Sequence, residues 1–302
     1  DVNIPVPADT LERQLATEPF SIVAAEISRP KAKGDITLKA EASFSGNPPY
    51  RVKLRRAEPG AETFNNRPRY DLAAYELQKL FLEPAEYVVP PTALRTLPVA
   101  DLLRYAPEAR PTFRGSDEVL VVLQYWLQEV KVVADAYDPA LFSSDAGYAR
   151  HIGQLNVLTY LIEHGDANLG NFLASRAEQS PRVFSVDNGV AFAHNESDRS
   201  DVWKYLRVPD LPADTVSRLR ALTQDELQER LGVLAQWRLD GGRWIAEPPG
   251  ENLAPQRGVR QKDGVVQLGL TKSEIAQVDR RRMQLLKQVD DRRVGLIEEQ
   301  RP

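Results

Sequence analysis

The chain has 302 residues, 42% of them hydrophobic, which is enough for one large domain or two modest lobes around a sizeable core. Its formal net charge of -4 argues against a nucleic-acid partner, because phosphate contacts need a basic face, and no run of about 18 apolar residues is present to span a membrane. With no cysteine, the chain has no disulfide, no thiolate metal site and no cysteine nucleophile.

The opening "DVNIPVPADT" carries two prolines and is expected to form an extended arm. Three strand-like runs follow, at 20–28, 35–44 and 50–57. In the second, Ile36, Leu38, Ala40 and Ala42 alternate with polar residues, the period of a half-buried strand. The turn-rich "KAKG" and "SGNPP" between the runs leave no room for a crossover helix, so the three are expected to form an antiparallel meander. Helical spacing over 70–82 is followed by a proline-rich stretch, and within 117–127 the β-branched run Val119–Leu123 predicts a buried strand ending near Gln124.

Further on, Asp138 and Pro139 are an N-cap and first-turn pair, and residues 146–164 predict a long helix. Two short strands flank "RAEQSP". Thr223 with Glu226, and Thr271 with Glu274, are capping-box pairs. "QWRLDGGRWI" and "RQKDGVVQLGL" between them are hairpin signals, and a final arginine-studded helix is expected from about 272 to 298. The fold class expected is α+β with two lobes: a β-rich lobe over 1–118 and a mainly helical lobe over 119–302, with a β-hairpin insertion near 236–268.

Two carboxylates stand out. Asp166 lies in "HGDANLGN" and Asp187 in "FSVDNGVAF", directly after an apolar strand, while Asn171 follows Asp166 by five positions. Carboxylate and carboxamide oxygens are the hard donors that Mg²⁺ or Mn²⁺ prefers. Phosphoryl transfer needs such a metal clamp and a separate carboxylate for the proton of the attacking hydroxyl. Asp166 suits the base; Asn171 and Asp187 suit the metal. Taken alone, Asp166 and Asn171 also fit an Asx-rich turn, and "DNG" is an ordinary turn sequence.

"HGDANLGNFL" resembles the catalytic loop of the protein-kinase-like superfamily, in the form seen in aminoglycoside and small-molecule phosphotransferases. "VDNGVAF" looks like that superfamily's metal-binding segment, in the form of the atypical secretory-pathway kinases, and its logic is shared with phosphatidylinositol kinases and HipA-type kinases. The resemblance implies a two-lobed kinase-like fold with ATP between the lobes, Mg²⁺ or Mn²⁺ on Asn171 and Asp187, and Asp166 facing a hydroxyl acceptor. It implies that His164 braces the loop, that Lys53 on the third strand holds the phosphates, and that Glu76 on the following helix positions Lys53. Lys39 is the rival for the lysine, and Gln124 begins the expected hinge contacts at 124–127.

The chain departs from that pattern in three places: Gly34 is the only glycine where a phosphate loop would lie, Gly165 replaces an activation-loop-reading arginine, and Asn168 replaces a lysine. The acceptor is expected to be a protein hydroxyl, with a lipid headgroup or small molecule as the alternative. The competing class is a pseudokinase serving as a binding scaffold. Trp126 reads as core, with an adenine platform as the alternative, the polar stretch 194–201 as a solvated loop, and the arginines of the last helix as a solvated face. The chain begins at Asp1 and its single methionine is Met283, so a removed leader and a periplasmic or secreted location are expected, with the cytoplasm as the alternative.

Overall fold

The computed structural model describes residues 2–28, 37–45, 48–63, 67–166, 170–192 and 202–298. Alternating side chains build the first sheet. After helix α1 (Ala8–Thr17) come β1 (Phe20–Ile27), β2 (Thr37–Phe44) and β3 (Tyr50–Arg56). Helix α2 (Pro68–Gln78), β4 (Thr92–Pro98), α3 (Val99–Leu103) and β5 (Glu118–Tyr125) complete this lobe. The strands lie in the order β1-β2-β3-β5-β4, with every neighbouring pair antiparallel. In β2, Leu38, Ala40, Ala42 and Phe44 are buried and alternate with half-buried neighbours.

Strand β5 runs between β3 and β4 and is buried along its whole length. That explains the unbroken apolar run, because each face of the sheet is covered. Val119, Val121 and Leu123 pack with Leu11 and Leu15 of α1, whereas Leu120 and Val122 belong to a separate cluster on the opposite face. The extended arm expected over 1–10 is corrected here: the chain turns helical at Ala8, because Leu11 and Leu15, one helical turn apart, bury against the sheet. The proline-rich stretch hides β4, an edge strand that ends in Pro98, where a missing N–H costs little.

The second half opens with β6 (Val130–Val132), α4 (Pro139–Ser144) and α5 (Ala146–Ile162), followed by the antiparallel pair β7 (Phe172–Ser175) and β8 (Val183–Ser185). Asp138 caps α4 by accepting from the N–H groups of Ala140 at 2.9 Å and Leu141 at 3.1 Å. Helix α5 is apolar nearly all round and buried nearly all round, as expected of a central helix. It ends at Glu163, whose left-handed backbone (φ 49°) turns the chain into the loop that follows.

Next come β9 (Asp210–Pro212), α6 (Ala213–Ala221), α7 (Gln224–Gly232), β10 (Ala235–Asp240), β11 (Arg243–Glu247), β12 (Val259–Lys262), β13 (Val265–Leu268), α8 (Lys272–Asp290) and β14 (Gly295–Ile297). Helix α8 stops eight residues short of the expected end, and β14 pairs in parallel with β9 instead. Both capping boxes form. Replacing Thr223 by Ala should cost about 1 kcal/mol, because its hydroxyl accepts from the Glu226 N–H at the exposed start of α7. A lower urea midpoint with an unchanged m-value checks this.

The two hairpins join into one sheet, ordered β11-β10-β13-β12. The segment near 236–268, expected as an insertion in the helical lobe, is tied to the end of α7 through Arg260 and Gly232 O at 2.7 Å and also packs on the first sheet. Trp237 and Trp244 share a cluster with Leu94, Leu120 and Val122, and the Trp244 N–H donates to buried Glu118 at 2.6 Å. At the start of α8, Glu274 accepts from both the Thr271 N–H and Arg69 of α2, each at 2.7 Å. One capping acid therefore also ties the two lobes together.

Candidate active site

Four separate segments meet in a cleft of about 620 Å³ between the lobes, a volume ordinary for a small-molecule site. From β3 comes Lys53, from β5 Gln124, from the loop after α5 Asp166 and Asn171, and from the segment after β8 Asp187.

The loop is built from backbone bonds outward. The Gly165 N–H donates to Val190 O at 2.9 Å and the Val186 N–H to Asn171 O at 2.9 Å, so the loops bearing the two aspartates are laced together. His164 is fully buried and its Nδ1 accepts the Asp166 N–H at 3.3 Å. Burial pushes its pKa down to about 4, against the pull of the Asp187 carboxylate, so the ring is neutral and acts as an acceptor near neutral pH. Asn171 donates through Nδ2 to Asp166 O at 2.5 Å and to its Oδ2 at 3.2 Å. That fixes the amide and leaves its Oδ1 as the atom able to serve a cation. Asp187 sits in the left-handed region (φ 60°), after which Asn188 is buried with its Oδ1 accepting from Ser185 at 2.8 Å. The Asp187 side chain is 46% exposed and lines the cleft.

Lys53 is buried and forms an ion pair with Asp187. Lys39, its cross-strand neighbour, turns to Glu26 at 3.1 Å and stands 5.6 Å from the centre of the Trp126 ring at the cleft wall. The expected Lys53–Glu76 pair is corrected: Glu76 binds Lys79 of its own helix at 2.8 Å and does not line the cleft. The acid that α2 turns toward β3 is Asp71, which is fully buried and paired with Arg55. Positions 71 and 76 are about 140° apart around a helix, so only one of them can face the sheet.

Gln124 lies opposite Lys53 in the ladder, and its amide donates to Thr92 Oγ1 at 2.9 Å while bordering the cleft. Trp126, expected in the core, is half-buried and lines the cleft beside Leu127, Val130 and Leu173, which form an apolar wall. Gly34, Asn168 and the stretch 194–201 lie outside the described residues.

The chain matches a crystal structure of the Golgi casein kinase with a TM-score of 0.54 at 12% identity, covering 94% of this chain and 76% of that one. It matches a crystal structure of the Golgi casein kinase with Mn/ADP bound with a TM-score of 0.53 at 13% identity, covering 93% and 74%. The fold is protein-kinase-like. No protein-family model matches the chain, and no curated protein sequence does. At such identity the likeness concerns the fold, and the chemistry rests on the residues themselves.

Two side chains of the cleft region escaped the sequence reading: Arg55 and Asp71. The signal for Arg55 was its place two residues after Lys53, which puts both on one face of a strand. Asp71 had no distinguishing signal, because an acid in the first turn of a helix is ordinary.

Proposed function

We propose that the protein is a metal-dependent phosphotransferase that moves the γ-phosphate of ATP to a hydroxyl acceptor, more specifically one on a protein. The observation that carries this reading is the meeting of Lys53, Asp166, Asn171 and Asp187, drawn from three segments, in one cleft with an apolar wall. Asp187 and Asn171 offer hard oxygen donors that fit Mg²⁺ or Mn²⁺, which would supply charge neutralisation at the phosphates. Asp166 holds a carboxylate where an acceptor hydroxyl can donate its proton. Lys53 supplies a positive charge for the phosphates, and the wall of Trp126, Leu127 and Val130 suits a purine. The Mn/ADP-bound neighbour supports both nucleotide and metal. Its Golgi origin supports an exported site of action, periplasmic or secretory.

A thermal-shift series with ATP and Mg²⁺ or Mn²⁺ tests the reading. Nucleotide at one hundred times its Kd should stabilise the protein by about 2.7 kcal/mol, with phosphate transfer seen on acceptor proteins. No shift at millimolar nucleotide, together with no transfer, would sink it. A binding scaffold without transfer is the second reading, favoured by one feature: the Lys53 ammonium is paired with Asp187. Nucleotide binding with no transfer would select it.

A further inference from the structure

Strand β3 carries two cations toward the cleft, and the proposed function uses only one. Lys53 and Arg55 stand on the same face, about 7 Å apart along the strand, and both line the cavity. Arg55 is 2% exposed. One terminal nitrogen of its guanidinium is bonded to Asp71 of α2, and the other points to Asp187 Oδ1 at 3.5 Å. Burying a carboxylate–guanidinium pair costs desolvation that apolar side chains of similar volume would avoid. For sheet–helix packing alone, two apolar residues would serve as well. What apolar residues could not do is hold a rigid, permanently charged fork against the cleft at a fixed angle.

We propose that Arg55 is a second phosphate-binding cation of this site, and that Asp71 is the positioning residue that holds it there. The proposal rests on the reading of the cleft as a nucleotide site and deepens it. The division of labour follows from the chemistry of the two side chains. Lys53 presents a compact charge on a flexible stem, whereas the planar Arg55 guanidinium, held by Asp71, presents its charge in one fixed direction. Their separation along the strand lets them address different phosphates of one chain. Asp71 fixes one terminal nitrogen of the fork, so little side-chain freedom is lost when a phosphate oxygen replaces the Asp187 carboxylate, 3.5 Å away, at the other.

The test compares ATP, ADP and adenosine binding to the full chain by titration calorimetry with Mg²⁺ present. Arg55→Met combined with Asp71→Leu removes the pair without leaving a lone buried charge. Asp71→Asn is the milder second variant. For the double variant, ATP and ADP affinity should fall about 10- to 100-fold, the scale of a lost charged hydrogen bond, with adenosine affinity unchanged. Asp71→Asn should lose a smaller part in the same pattern. An equal loss for adenosine, or ATP affinity equal to the wild type in either folded variant, would overturn the proposal and make the pair structural only. Absence of ATP binding in the wild-type protein would instead overturn the nucleotide reading itself, and the Arg55 proposal with it.

Discussion

Asp166→Ala is expected to lower the rate of phosphate transfer by about a thousandfold while leaving nucleotide affinity within a few-fold of wild type. The substitution is a clean one for a structural reason. The shorter bond from Asn171 Nδ2 goes to the Asp166 carbonyl, a backbone atom, and only the longer one goes to the carboxylate. Removing the carboxylate thus leaves Asn171 held. The Asp166 N–H still donates to His164, so the loop keeps its brace. Asp187→Ala should behave in the opposite way, abolishing metal-dependent binding and leaving Lys53 and Arg55 to attract phosphate without metal. Single-turnover transfer and calorimetry with and without Mn²⁺ separate the two. If Asp166→Ala transfers phosphate at the wild-type rate, Asp166 is not the base.

The contrast between these aspartates and the α2 acids shows what can be read in the chain. Asp166 and Asn171 are close in sequence, so the loop itself brings them together, and the apolar strand before Asp187 announces where that carboxylate emerges. Strand β2 was legible because Leu38, Ala40 and Ala42 alternate. The phase of α2 was not, since which acid faces β3 depends on the helix's rotation against a sheet that the helix does not itself contain. Tertiary packing turned Asp71 inward and left Glu76 with Lys79. Helix α1 failed for a related reason: only Leu11 and Leu15 bury among its hydrophobic positions, a stripe too short to declare a helix without the sheet beneath it. Charged residues carried the expected last helix past Asp290, because the parallel pairing of β14 with β9 spans some eighty positions and has no local signal. Trp126 was expected in the core, whereas the end of β5 opens onto the cleft.

Acidification should destabilise the fold well before its carboxylates protonate, and two buried histidines give the reason. His151 is buried in α5, where its Nε2–H donates to Val183 O at 2.9 Å, and burial drives its pKa to about 4 against the pull of that carbonyl and Glu86. His164 is pushed to about 4 by the same burial. An unfolded chain binds protons on both rings below about 6.5, while the folded chain does not until about 4. Between those values the unfolded state therefore binds more protons, and stability falls as pH falls. The loss is on the order of 3 kcal/mol per ring by pH 4, a large share of the stability of an ordinary domain. For His164 the cost has a site-level consequence: a proton on Nδ1 would face the Asp166 N–H and break the brace of the candidate catalytic loop. Melting curves at pH 7, 6, 5 and 4 should show the decline beginning below about 6.5. His151→Gln keeps a donor for Val183 and cannot titrate, so its slope over that range should be about half that of the wild type. An unchanged slope in that variant would remove His151 from the account and leave the acid sensitivity to His164 and the carboxylates.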